Sequence, residues 1–284
     1  AFQEDASATY IFVDDVIGWQ RGVVPEGFPE DRVVNNQHMR YGMRQIADFT
    51  PDHWRGDIPT QIADEIVHLH KGLTNSIATI SLVIDPGCLF HSETGIYVNA
   101  WREGREYERQ TMGEQIDPVN GEKNEFTISA GLRIRGAASR NPNTAKHAFR
   151  LFFRSEYGAS ERDFPLFGDE GADSFKKVDL RCSQNFSIAA EDNNCGDTYV
   201  HEVFSRDSQG AMGSYYTRSR YYNLFINGVY WGLYQTEERA EENFAATYNG
   251  GQPEDYDVIK TSSSWPSGSA SAAVYTTDVS EGSR

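Results

Sequence analysis

From residue 77 the chain alternates apolar and polar positions in short blocks, the period of strands with one face in a core. Residues 78–85 (ATISLVID) and 95–100 (GIYVNA) predict buried strands. Residues 107–117 and 124–136 predict two alternating strands joined across the turn-rich DPVNGEKN. In HAFRLFFR, Phe149, Leu151 and Phe153 face one way while Arg150, Phe152 and Arg154 face the other. FKKVDLRC predicts a further short strand.

The period then lengthens. Residues 197–213 place Tyr199, Val200, Val203 and Phe204 at helical spacing, with Asp197 or Thr198 as N-cap and Gly210 or Gly213 as the stop. Residues 220–238 read as two aromatic-rich strands about Asn227-Gly228, a pair that tolerates the positive φ angles of a two-residue hairpin turn. Residues 239–250 predict a short helix closed by Asn249-Gly250, and DYDVIK predicts a last strand.

Three segments follow. Residues 1–76 are an irregular N-terminal lead-in with one helix over 62–71. Residues 77–260 are the folded unit. Residues 261–284, rich in Ser, Gly, Ala and Thr, predict a mobile tail. The fold class expected is α+β, an antiparallel β-sheet with a helix packed on one face.

Composition narrows the functional classes. Apolar residues at 38% and charged residues at 24% suffice for a core. The net charge of −16 repels phosphate backbones, so no nucleic acid partner is expected. The longest apolar stretch, near Ile80–Ile84, falls far short of the roughly 20 residues of a membrane span. The chain opens without Met and without a basic-then-apolar leader, and reads as a mature or excised piece of a longer protein.

Cys182 and Cys195 bracket a polar loop of the size a disulfide often closes, and such a bridge would stabilise by about 3 kcal/mol. It would place the protein in an oxidising compartment. Cys88 is left over as a small buried hydrophobe. His68 and His70 lie two apart on a helix and point in different directions, which disfavours a shared metal. Asp192, Asn193, Asn194 and Asp197 offer oxygen ligands of the kind Ca2+ takes, without EF-hand spacing. No GxSxG elbow is present, which argues against a serine hydrolase.

Three segments in order carry a resemblance. They are GLRIRGAASRNPNTAKHAFRLFF, then FKKVDLRCSQNFS with HEVFSRDSQGAMG, then RSRYYNLFINGVYWGLYQTEERAEENF. Together they resemble the CotH kinase family, and ISLVIDPGCLFHSETGIYVN is similar to the entry of some members. The resemblance covers residues 77–260 and implies a kinase-like small lobe that binds ATP and Mg2+.

By that resemblance, residues 131–139 form the phosphate-covering turn, with Arg135 and Gly136 at its centre. Lys146 is the phosphate lysine, with Arg150 as the alternative. His147 stands where members often carry a second Lys. Glu202 is the helix acid that orients the cation, with Asp197 and Asp207 as rivals. Glu237 and Glu238 stand at the hinge, where they could meet a ribose, an adenine edge or a metal. Lys260 is a weaker candidate. The catalytic acids of the family are expected beyond Arg284.

The function implied is part of a secreted or cell-surface atypical protein kinase. It would transfer phosphate from ATP to Ser or Thr of extracellular or surface proteins. The alternative is a non-catalytic extracellular structural or adhesive surface module. A carbohydrate-binding module is a third reading, prompted by the Tyr and Trp content.

Overall fold

The computed structural model describes residues 24–39 in part, 77–117, 126–182 with short interruptions, 199–264 and 274–280. Strands β1 (Val33–Val34) and β2 (Gln37–His38) form a small ribbon. Next come β3 (Thr79–Val83), helix α1 (Pro86–Phe90), β4 (Arg109–Ile116), β5 (Phe126–Arg135) and β6 (Ala148–Phe152). A second ribbon, β7 (Arg162–Asp163) and β8 (Ser174–Phe175), precedes β9 (Lys177–Arg181). Then follow α2 (His201–Ala211), β10 (Ser219–Ile226), β11 (Val229–Glu237) and α3 (Glu242–Asn249). Strands β12 (Val258–Ser264) and β13 (Val274–Ser280) pair antiparallel at the end.

Seven strands close into a barrel in the order β10-β11-β9-β6-β5-β4-β3. All neighbours are antiparallel except the closing pair, in which β10 runs parallel to β3 from Asn223↔Thr79 to Ile226↔Leu82. Asn227 fastens this seam. It takes φ 49° in the hairpin turn, accepts the Ile84 N–H at 2.9 Å and donates to the Ile84 carbonyl at 2.8 Å.

This architecture corrects the expected fold class. The sheet is not an open antiparallel layer with a helix on one face, but a closed, mixed barrel, with three short helices among the described residues. Closing the sheet gives its inward residues a common interior and leaves no barrel edge unpaired. Leu82, Leu132, Phe149, Leu180 and Leu224 are all fully buried there, with Trp231 beside them. Phe149, Leu151 and Phe153 join this core, as the alternation in HAFRLFFR predicts.

Helix α2 does not pack by an apolar stripe. It buries no residue, and Val200 and Phe204 are exposed. It meets the barrel through Glu202 and Arg206, which pair with Arg181 and Glu237. Residues 95–100 form turns rather than a strand. The Ile96 and Tyr97 N–H groups bond back to the Cys88 and Leu89 carbonyls, which folds the segment over α1. Within the 261–284 stretch expected to be mobile, Thr261–Ser264 continue β12 and pair with β13, Val274–Ser280.

No disulfide joins the described cysteines, and the Cys182 thiol donates to the Lys146 carbonyl at 3.5 Å. Cys195, the 62–71 helix with His68 and His70, and the Asp192–Asp197 loop with its Ca2+ ligands lie outside the described residues. Among the described residues, no helix is long and apolar enough to cross a membrane.

Candidate functional site: an arginine cleft on the barrel wall

Side chains that alternate with the core residues of β5, β6 and β9 point outwards. Register puts Arg133 opposite Arg150, Arg150 opposite Asp179, and Asp179 opposite Glu237, a charged row across four strands. Over this wall lies a cleft of about 750 Å³, bounded by the segment around Arg102–Tyr107, the turn Gly136–Arg140 and α2. Six arginines line it, at positions 102, 133, 135, 140, 150 and 181, against two glutamates, Glu103 and Glu202. In a protein of net charge −16, this is a concentrated cationic surface.

Asp179 organises the floor. Its carboxylate is buried and takes Arg135 Nε at 2.8 Å, Arg150 Nε at 2.5 Å, Arg150 Nη2 at 3.1 Å and Arg239 Nη1 at 3.0 Å. Burial alone would raise its pKa. Arg150, Arg135 and Arg239 outweigh that and hold the carboxyl below its ordinary value. Glu241 also pairs with Arg239, at 2.7 Å, so two carboxylates face three guanidiniums and the floor keeps a surplus of positive charge.

Glu108 does the same beside it. Arg133 Nη2 lies 2.7 Å and Arg154 Nε 2.8 Å from its carboxylate, and the Tyr157 hydroxyl donates at 3.1 Å. Burial opposes ionisation here too, and the arginines again carry the pKa downwards. Gly131 makes room for it, since a Cβ there would meet the Glu108 side chain at 2.6 Å.

At the third wall, Arg181 binds Glu237 at 2.5 Å and also pairs with Glu202, which α2 brings in. Arg206 pairs with the same two glutamates, at 2.8 Å to Glu237. Burial works against the Arg181 charge, but Glu237, Glu202 and Asp179 raise its pKa on balance.

The structure therefore gathers Arg135, Gly136, Arg150 and Glu202 at one cleft. Gly136 is needed at its turn, with φ 119° and a virtual Cβ only 1.8 Å from Ser139 Oγ. The covering turn is shorter than the expected 131–139, because residues up to Arg135 belong to β5. Glu237 stands behind the cleft on Arg181. Glu238 is elsewhere. It is buried and accepts the Ala172 N–H at 2.7 Å, the Arg218 N–H at 3.0 Å and the Tyr248 hydroxyl at 2.8 Å.

Lys146 does not line the cleft either. A β-bulge in β11 puts Leu224 opposite Gly232 and Phe225 opposite Tyr230, so Trp231 is the extra residue. Lys146 Nζ donates to the Trp231 carbonyl and sits 4.5 Å from the centroid of its ring. The strand cation paired with the helix acid Glu202 is Arg181, which the sequence reading did not single out. Its signal was present in FKKVDLRC, where Lys177, Asp179 and Arg181 alternate with buried Val178 and Leu180. Lys260 lies in β12, paired with Asp278 in register.

The sequence pattern of the family described as CotH kinase protein matches residues 132–281, which holds β5 from Leu132, β6, β9, α2 and the β10–β11 hairpin. The chain belongs to the CotH kinase family. A comparison with curated proteins gives no match. In this CotH-family chain, the match takes in the cleft arginines Arg133, Arg135, Arg140, Arg150 and Arg181, together with Asp179 and Glu202. Arg102, Glu103 and Glu108 come from before it.

Proposed function

We propose that this chain forms the nucleotide-phosphate-binding part of a secreted or cell-surface CotH-type atypical protein kinase. The reaction is transfer of phosphate from ATP to Ser or Thr of an extracellular or surface protein. The observation that carries the reading is the convergence of Arg135, Arg150 and Arg181 on one cleft, with an acid from α2 paired to the last. Phosphoryl transfer relies on positioning and on neutralising charge at the phosphate oxygens, and fixed guanidiniums supply both.

The cleft suits the anionic part of the nucleotide. Arg135 and Arg150 stay partly exposed to the cleft while bound to Asp179, so their guanidiniums can meet phosphate oxygens. For Mg2+ the fit is poorer. Among the described residues no group of three His, Cys, Asp or Glu side chains converges on one point, and no step is assigned to a metal. ATP bound here would supply the transferable phosphoryl group. Asp179 and Glu108 would orient the arginines, and the Gly136–Arg140 turn would cover the phosphates.

Isothermal titration of ATP with Mg2+ into the 284-residue protein tests the reading. One site per chain, lost in Arg135→Ala/Arg150→Ala, is expected. A flat titration would refute it. Phosphate incorporated into Ser or Thr of a protein acceptor is the activity then to be looked for.

A further inference from the structure

A site that recognises a nucleobase usually offers a flat apolar slot or an aromatic face, with polar groups at the base edge. Among the described residues this cleft offers neither. Its two aromatic side chains are already engaged by guanidiniums. Arg133 stands 4.4 Å and Arg154 4.9 Å from the Phe152 centroid, and the ring is itself buried. Arg102 stands 5.7 Å from the Tyr107 centroid. The remaining apolar lining is aliphatic, from Ile96, Ile134 and Ala148.

The cations, by contrast, form an extended patch of two rows, Arg133 with Arg150 in one and Arg135 with Arg181 two residues along their strands in the other. Arg133 and Arg135 project from β5, Arg150 from β6 and Arg181 from β9, three adjacent strands. Neighbouring strands stand about 4.8 Å apart, so these guanidiniums span on the order of 10 Å, more than one phosphate group can bridge. A single phosphate would leave part of the patch unmatched, whereas a chain of phosphates can extend across it.

Resting on the nucleotide reading above, we infer that this cleft selects its ligand by a polyphosphate chain and is indifferent to the base. Inorganic tripolyphosphate is then a ligand in its own right, and ATP and GTP are equivalent. The Arg135–Asp179–Arg150 cluster reads the chain, and Arg133 and Arg181 extend the contact at either side.

The test is calorimetric titration of the full chain, at fixed ionic strength and with Mg2+, against ATP, GTP, tripolyphosphate and adenosine. Expected are dissociation constants for the three phosphate ligands within about threefold of one another, no heat from adenosine, and displacement of ATP by tripolyphosphate. ATP bound more than about tenfold tighter than both GTP and tripolyphosphate would overturn the inference and leave the nucleotide reading intact. Silence from all three phosphate ligands would overturn both. Arg150→Ala should weaken ATP and tripolyphosphate by the same factor, about tenfold or more, because the lost contact is charged. Arg150→Lys, which keeps the charge beside Asp179, should weaken both by less. A variant that weakens ATP alone would count against the inference.

Discussion

Strands β5, β6 and β9 have two faces, and the two do different work. The inner face holds Leu132, Phe149 and Leu180, all fully buried and neutral. The outer face, one residue away along each strand, holds Arg133, Arg150 and Asp179, bound by charge. Removing apolar area from water stabilises the barrel without regard to what lies outside. The outer face gains less from its ion pairs, because each buried charge is first stripped of water. What the outer face gains instead is geometry, with three guanidiniums held around one carboxylate and positive charge left over.

The largest effects should separate the faces. Phe149→Ala empties a fully buried site and should cost about 3–5 kcal/mol in urea unfolding. Its response to tripolyphosphate should match that of the parent. Asp179→Ala should cost a similar amount, about 3–5 kcal/mol, because it leaves three guanidiniums around an empty centre. Here an added polyanion can replace the lost counter-charge, and binding to the native state alone raises stability. The melting temperature of the Asp179 variant should therefore rise more with tripolyphosphate than that of the parent. Equal rises in both variants would show that the outer face is not organised around anion charge.

The inner face was the more legible of the two. Period-two alternation placed Phe149, Leu151 and Phe153 correctly because burial on one side of a strand leaves a local trace. Closure left none, since the parallel pairing of Asn223 with Thr79 joins segments far apart in the chain. Within the expected 197–213, α2 (His201–Ala211) was legible as a helix, but its contact with the barrel was not, because Glu202 and Arg206 dock it rather than Val200 and Phe204. At the cleft, Arg135, Gly136, Arg150 and Glu202 were found through the family resemblance. Arg181 and Asp179 carry no local mark beyond the alternation in FKKVDLRC, which an ordinary solvated strand face shows as well. Lys146 instead meets a carbonyl at a bulge, and nothing local in the sequence announces that bulge.

A smaller effect lies where the two faces meet the N-terminal ribbon. His147 is fully buried, with Nδ1 2.9 Å from the Ser139 carbonyl and Nε2 2.7 Å from Gln37 Oε1. Gln37 is held that way round, since its Nε2 donates to the His38 and Thr144 carbonyls. Burial pushes the His147 pKa down to about 4 and nearby Arg140 adds to the shift, while the two oxygens at its ring nitrogens, the Ser139 carbonyl and Gln37 Oε1, favour the protonated ring and oppose it. The folded ring thus binds its proton less readily than the unfolded one, whose pKa is 6.5. Stability is complete above pH 6.5, falls as the pH drops towards about 4, and the loss attributable to this ring is at most roughly 3 kcal/mol. Glu108 and Asp179, both held below their ordinary values, contribute their losses only at lower pH. Chemical unfolding between pH 6.5 and 4.5 should show the slope, and His147→Gln should flatten it. An unchanged slope in that variant would assign the effect to other groups.

The smallest effect expected is at Lys146, and it sharpens the contrast most directly. If Lys146 serves the inner face through the bulged Trp231 carbonyl, Lys146→Met should remove one charged hydrogen bond and one cation–ring contact while keeping the aliphatic stem. The cost should be about 1–3 kcal/mol, since a carbonyl beside the core loses its donor. Affinity for ATP and tripolyphosphate should stay within about twofold of the parent, because Lys146 does not line the cleft. Arg181→Met should show the reverse balance, with phosphate affinity falling and Glu202 losing the strand cation that draws α2 to the wall. Should Lys146→Met abolish phosphate binding without loss of stability, the division of labour between the faces would have to be redrawn around the lysine.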